Sequence, residues 1–473
     1  MKTSYQIYVG GECRSTTDIL PVINPYNNEE VAICFRAGVP ELEEAIQKAQ
    51  SVKEILIDMS SGRKYTILMQ IAALMREARE ELAHIIVLES GKPIRYALGE
   101  VDRAIQTFTV AAEECKRLPG EYLDIGWTPA GEGKEGILRY FPIGLVAGIS
   151  PFNFPLNLAV HKLAPAIAAG CPIILKPSSS TPLSTLRLAQ IIDNTDLPKG
   201  AVSILPMDRT TGNKMVTDTR FGLLSFTGSP EVGWKMKTEA GKKKVILELG
   251  GNAGVIISES AELERAVDKC LTGCFAYSGQ VCIHTQRIFV HEKIFDEFTQ
   301  KFLAEVKKLR QGDPADPQTD ISTMIDEANA ERVEAWVNEA LDSGAELLMG
   351  GKRTGSYFEP TVLTNTRSSM KVCGLEIFGP VVTIEKYADY KDALDQMNDS
   401  RYGLQAGVFT NDILEMNEAF RKLEVGGIMI NDIPGFRVDH MPYGGVKDSG
   451  FGREGVKYSI HDMLEPRLLV KNK

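Results

Sequence analysis

The run Tyr277-Ser278-Gly279-Gln280-Val281-Cys282 closes a helical pattern at a glycine and leaves a thiol in a turn ahead of a strand-like segment. That setting suits a reactive thiolate better than those of Cys270 and Cys274, which share one helix face at i, i+4. Glu248 ends an apolar run just before Gly250 and Gly251. It has the position of a general base, or of a solvated carboxylate at a hinge. Asn153 is bracketed by Pro151 and Pro155, as either a helix cap or an amide donor aimed at a developing oxyanion. Lys176 precedes Ser178, Ser179, Ser180 and Thr181. This is a polar loop, or a site for an anionic or ribose-bearing ligand. Gly228 and Ser229 turn into a helix whose N-terminus can hold a pyrophosphate. The spacing is neither G-x-G-x-x-G nor a P-loop. Cys270, Cys274, Cys282 and His284 are spaced C-x3-C-x7-C-x-H without a C-x2-C pair, so no metal is expected.

These residues follow short apolar runs at 144–149, 172–175, 201–205, 223–226 and 245–249, with helical patterns between them at 157–168, 183–193, 212–217 and 231–240. Strands separated by single helices predict βαβ units and a parallel sheet, with ligands beyond the carboxyl ends of the strands. A second series predicts strands at 253–257, 287–290, 381–386, 406–410 and 428–431. Its helices fall at 262–277, 295–311, 328–343, 391–398 and 414–423. The fold class expected is therefore α/β, with two Rossmann-like open parallel-sheet domains. A Gly-rich stretch at 120–136 reads as a connector or hairpin. The terminal run 465–470 reads as a strand needing an edge, its own chain's or a partner's.

The 473 residues suit about three compact units by the usual domain-size prior. The net charge of −10 gives no footprint for nucleic acid. No apolar run is long enough for a membrane span, and the N-terminus lacks a secretory pattern. With eight scattered cysteines, the expectation is a reduced, cytoplasmic protein without membrane or nucleic-acid partners.

Together the motifs PFNFP, ILKPSSSTP, FTGSPEVG, ELGGN, YSGQVC, EIFGP and MPYGGVKDSGFGREG, in this order, resemble the aldehyde dehydrogenase superfamily. The resemblance runs from near Asn24 to the C-terminal strand. It implies an NAD(P)-binding domain over 1–121 and 142–248, a catalytic domain over 249–448 and a small β oligomerisation arm over 122–141 and 460–473. A homodimer or homotetramer is implied. Cys282 matches the nucleophile, Glu248 the general base and Asn153 the oxyanion donor. Ser150, Pro151, Phe152, Lys176, Ser179, Gly228, Ser229, Gly250, Glu376 and Phe378 match cofactor-binding positions. Phe152 departs from the frequent Trp. Ser179 departs from the Glu common in NAD-selective members, which opens room for NADP as well as NAD. Gly254 stands where Pro is frequent.

Around the acceptor site the same resemblance gathers Arg103, His161, Arg287, Arg437 and His440. Guanidinium groups suit bidentate recognition of anions. The expectation is a small aldehyde carrying phosphonate, phosphate or carboxylate. Neutral aldehydes such as lactaldehyde are the alternative, with a CoA-acylating or a non-catalytic relative further behind. Pairing of these cations with neighbouring acids is the bland reading of the same residues.

Overall fold

Apolar runs too short for helices become strands covered on both faces. Leu145–Ile149 is buried at all five positions, and Val202–Ile204 at all three. In the computed structural model, which describes residues 3–472, they belong to an eight-stranded sheet. Its order is Gly450–Phe451, Lys244–Glu248, Phe221–Thr227, Leu145–Ile149, Ile173–Lys176, Val202–Ile204, Ile7–Tyr8, Cys13–Arg14. From Lys244–Glu248 to Val202–Ile204 the pairing is parallel, and the outer strands are antiparallel. Helices Pro155–Ala169, Leu183–Asp193, Arg209–Thr217 and Pro230–Glu239 make the crossovers that parallel strands require.

The second sheet has seven strands, in the order Glu346–Met349, Thr361–Thr364, Val381–Tyr387, Arg287–His291, Gly254–Ile257, Gln405–Phe409, Gly427–Ile430. All but its first pair are parallel. The α/β class with two open, mainly parallel sheets is thus present. Residues 1, 2 and 473, which fall in the expected domain spans, lie outside the described residues. Among the described residues no helix is long and apolar enough to cross a membrane.

The strands Thr361–Thr364 and Glu346–Met349, and the N-terminal sheet of Thr3–Tyr5, Glu30–Phe35 and Ile19–Ile23, go beyond the sequence reading. The helix expected over 262–277 ends at Phe275, because Tyr277 and Ser278 turn to φ 49° and 52°. This left-handed pair swings the chain toward Cys282. The terminal strand Leu464–Asn472 finds its edge within its own chain. It pairs antiparallel with Lys134–Pro142, which in turn pairs with Gly120–Leu123.

Pro155–Ala169 is buried along its whole length. It is mostly apolar, Asn157, His161 and Lys162 apart, because it packs between the sheet and the helices Ser61–Glu77 and Ile94–Glu114. Its N-terminus is fixed by Glu100, whose Oε1 accepts from the backbone N–H groups of Leu156 and Asn157 at 3.0 and 3.1 Å. The other oxygen of Glu100 pairs with Lys92 Nζ, both side chains being fully buried. Lys92 also donates to the Asn153 carbonyl at 2.7 Å and lies over the rings of Phe154 and Tyr277. Glu100→Ala would strand the Lys92 charge and two helix N–H groups. Denaturant unfolding should show a loss of about 3–5 kcal/mol, the usual cost of breaking a buried pair. A loss below about 1 kcal/mol would show that the pair does not anchor this helix.

Candidate active site

Strand ends and helix starts meet at one cavity of about 520 Å³, within the size range of ligand sites. Asn153, Glu248 and Cys282 all line it, together with Phe152, Gly228, Ser229, Gly250, Glu376 and Phe378. Two sequence signals explain the convergence. Glu248 is the last residue of Lys244–Glu248, and Asn153 follows Leu145–Ile149, two strands along the same parallel sheet. The Cys282 turn is delivered from the second sheet by the left-handed Tyr277 and Ser278.

Close packing holds the turn. A Cβ on Gly251 would stand 2.6 Å from the Cys282 carbonyl oxygen, and one on Gly279 (φ +68°) would stand 2.1 Å from that of Gly379. The Asn153 amide donates to the Gln280 carbonyl at 3.0 Å. One N–H of that amide is thereby committed, and its second N–H is free of that bond. Cys282 Sγ lies 3.2 Å from Tyr443 Oη. Burial pushes the thiol up to about 11, against the opposing pull of the Tyr443 hydrogen bond.

Glu248 is buried, and neither of its carboxylate oxygens has a hydrogen-bond partner. Burial, reinforced by the charge of Glu454, pushes this carboxyl well above its usual range. Glu454 is buried too and is raised by desolvation, yet Lys162 and Arg437 hold it low overall. Lys162 Nζ donates to Glu454 Oε1 at 3.1 Å and to Thr227 Oγ1 at 2.7 Å. One acid is therefore paired and ionised, and its neighbour is unpaired and pushed toward its neutral form.

On the other side of the cavity Phe152 and Phe378 meet edge to face, with centroids 5.8 Å apart. Glu376 accepts from the Gly251 N–H at 2.9 Å, and burial pushes its carboxyl up to about 8. A Cβ on Gly250 would stand 2.3 Å from Glu376 Oε2. Ser229 caps the ten-residue helix Pro230–Glu239 at the cavity edge. Ser150 is buried with its Oγ unpartnered. Pro151 is a further lining residue. A helix N-terminus, a glycine cradle and an aromatic pair together fit a dinucleotide; Ser150 itself does not line the cavity.

Lys176 and Ser179 lie outside this cavity, beyond the neighbouring strand end. The Lys176 ammonium is pushed down by burial and by the nearby Arg209 and Arg36, and Asp208 acts in the opposite sense.

The five expected substrate residues separate. Arg103 Nη2 donates to Asp439 Oδ1 at 2.9 Å. His161 Nε2 meets the same oxygen at 2.8 Å, and its Nδ1 lies 3.4 Å from Arg437 Nη2. Burial and the charge of Arg437 lower the imidazole. The neutral ring then donates from Nε2 and accepts at Nδ1. The Arg437 guanidinium stacks 3.7 Å from the Tyr443 ring centroid. This stack joins the cluster to the tyrosine that touches Cys282.

Arg287 is not part of this group. Its guanidinium is buried against the carbonyls of Asn252, Gln396 and Met397, so it ties its strand to the loop at Asn252 and to the last turn of helix Tyr390–Asn398. His440 is exposed, and the inward residue of that loop is its neighbour Asp439. Cys270 and Cys274 pack into the second-sheet core, and His284 Nε2 donates to the Cys274 carbonyl. Among the described residues no group of three His, Cys, Asp or Glu side chains is placed to hold a metal.

Sequence reasoning missed Lys162, Tyr443, Glu454 and Asp439 as members of the site. A lysine inside the mostly apolar 155–169 run was the available signal for Lys162, since a buried charge needs a partner.

A model of the Aldehyde dehydrogenase family matches residues 13–469. The chain belongs to the aldehyde dehydrogenase family. It is 43% identical over 469 residues to the 3-sulfolactaldehyde dehydrogenase of Priestia aryabhattai, covering 99% of this chain and 98% of that one. It is 41% identical over 471 residues to the lactaldehyde dehydrogenase of Methanococcus aeolicus, covering 98% and 100%. Aldehyde dehydrogenase 21 from Physcomitrella patens, solved with the reaction product succinate, superposes with a TM-score of 0.98 at 44% identity, covering 100% of this chain and 99% of that one. Members of the family have been solved with NADP and with NAD, and family membership makes this chain an NAD(P)-dependent oxidoreductase.

The packing of Gly251 gives a direct test. Gly251→Ala should displace the Cys282 backbone and lower aldehyde-dependent formation of reduced cofactor at least a hundredfold, about 2.7 kcal/mol in the barrier, with an unchanged far-ultraviolet circular dichroism spectrum. Activity within threefold of wild type would show that the glycine pair does not set the position of the thiol.

Proposed function

We propose that the protein oxidises a small aldehyde bearing a terminal anionic group to the carboxylate, with NADP accepted as well as NAD. Supporting the chemistry is the meeting of Cys282, Glu248 and Asn153 on one cavity. Cys282 attacks the aldehyde carbon. The Asn153 amide and the Cys282 backbone N–H steady the oxyanion, where one such donor is typically worth about 10²–10³ in rate. A dinucleotide held by Phe152, Ser229, Glu376 and Phe378 would supply the hydride acceptor that lets the carbon remain on Cys282 as a thioester. Glu248 takes a proton from water, which attacks the thioester and releases the acid and the free thiol. A base for water favours hydrolysis over acyl transfer to CoA, and retention of all three groups disfavours a non-catalytic role.

The observation that carries the anionic substrate is a pair of orphaned donors. Arg103 Nε and Arg437 Nε are buried without a hydrogen-bond partner, in the cluster that reaches Cys282 through Tyr443. An unmade bond to a buried charged donor is costly, and a sulfonate, phosphate or carboxylate oxygen would satisfy it. The sulfolactaldehyde relative and the succinate complex are in keeping with this reading. A neutral substrate of the lactaldehyde kind is favoured by a different observation: Arg103 and Arg437 already pair with Asp439 and Glu454.

Ser179 with Lys176, and Arg36 and Arg209 nearby, favours room and charge for a 2′-phosphate. The wider assignment has 1–121 and 142–248 binding NAD(P), 249–448 carrying the thiol, and 122–141 with 460–473 joining copies of the chain. Leu464–Asn472 and Gly427–Ile430, each at an open sheet edge, suit such pairing.

Arg103→Ala should raise KM for succinate semialdehyde or sulfolactaldehyde at least tenfold and leave KM for propanal and lactaldehyde within about threefold, a difference near 0.7 kcal/mol or more. Equal effects on all four, or a higher wild-type kcat/KM for lactaldehyde, would overturn the charge reading in favour of a neutral substrate.

A further inference from the structure

Tyr443 has a hydroxyl that the reaction as described leaves idle. The ring is 3% exposed, and Oη stands 3.2 Å from Cys282 Sγ. One face of the ring carries the Arg437 guanidinium, 3.7 Å from the centroid. That guanidinium is held by Glu454 Oε2 at 3.3 Å and by His161 Nδ1 at 3.4 Å. The phenol is thus fixed from behind and ends at the sulfur. An aromatic residue serving only as a pocket wall would need the ring and not the oxygen. A phenol buried without a polar partner would cost free energy, and the polar atom it meets here is the sulfur.

We propose that Tyr443 is a further catalytic residue, whose hydroxyl donates a hydrogen bond to Cys282 Sγ and stabilises the thiolate that attacks the aldehyde. This rests on Cys282 being the nucleophile. Either group could donate while the sulfur is a thiol. Once the S–H proton has left to solvent, sulfur can only accept, and the phenol must be the donor. Burial pushes the phenol well above its usual value, so it keeps its proton while the thiol ionises. No proton passes between the two. As sulfur attacks, the S–C bond forms, the carbonyl π pair moves to oxygen, and the tyrosine's bond weakens as charge leaves sulfur. Arg437, stacked on the ring face, draws electron density from the phenol and strengthens its donation.

The charged and titratable groups facing this thiol are Tyr443, Glu376, Arg437 and Glu248. Tyr443→Phe removes one oxygen and keeps the ring, its packing and the Arg437 stack. The experiment is iodoacetamide labelling of Cys282 as a function of pH, in wild type and Tyr443→Phe, with peptide mapping to confirm the site. The thiolate's ultraviolet absorbance is followed in parallel. A hydrogen bond to a charged acceptor should be worth about one pH unit or more. The variant's labelling profile should move up by that amount, with labelling about tenfold slower at fixed pH below the midpoint. Its kcat should fall more than its KM rises. Profiles that coincide, by labelling and by absorbance, would overturn the proposal and leave Tyr443 as pocket wall alone. Dehydrogenase activity surviving full labelling of Cys282 would instead overturn the nucleophile assignment, a separate outcome.

Discussion

Burial of the unpartnered Glu248 carboxyl is the constraint on which the rest of the site depends. A carboxylate removed from water without hydrogen bonds is expensive, and the protein meets that cost by favouring the neutral form. Its surroundings are arranged accordingly. Glu454 keeps its charge because Lys162 and Arg437 offset it. Asp439 keeps its charge because Arg103 offsets it and the neutral His161 ring donates a hydrogen bond to it. Glu248 alone has no such bond, so it is left able to take a proton when a reacting group presents one.

The same economy of water governs Cys282. Its thiol is pushed up by burial and is eased by Tyr443, so Cys282 is not a freely reactive surface thiolate. Asn153 is aimed by a deeper layer, since Lys92 holds its carbonyl and Glu100 holds both Lys92 and the helix that follows. Rigid secondary structure thus carries each reactive group: a strand end for Glu248, a loop locked to a helix start for Asn153, and a glycine-packed turn for Cys282. Function placed at strand ends follows from the parallel sheets themselves, whose crossovers cover both faces and leave the carboxyl edge open.

Much of this was legible in the sequence where the signal is local. Gly279 and Cys282 in a turn, Glu248 at the end of an apolar run and Asn153 between two prolines each carry their own punctuation. The alternation of apolar runs and helices was equally local, and most boundaries fall within a few residues. What could not be read was which way a charged side chain points across the fold. Arg287 lies in a strand of the second sheet and turns to three backbone carbonyls. Asp439 faces inward and His440 outward, although they are neighbours. Lys162 meets Glu454 across 292 residues of sequence, while Tyr443 is bridged to Glu454 within one C-terminal segment whose bland loop spacing gives no sign of it. The short strands at 346–349 and 361–364 carry too few residues to show a period.

The most direct test of the account follows thioester hydrolysis on its own. Rapid mixing with cofactor and aldehyde gives a burst of reduced cofactor, followed by a slower steady phase, and both are measured across pH. Because Glu248 is held above the usual carboxylate value of about 4.3, its basic form is lost as pH falls through a limb lying well above that value. The steady phase should fall along that limb in the wild type. In Glu248→Gln it should be slow at every pH, with the burst retained. Full-rate hydrolysis down to about pH 5, or a Gln variant that turns over like the wild type, would contradict the claim that a buried, unpartnered carboxyl governs this site.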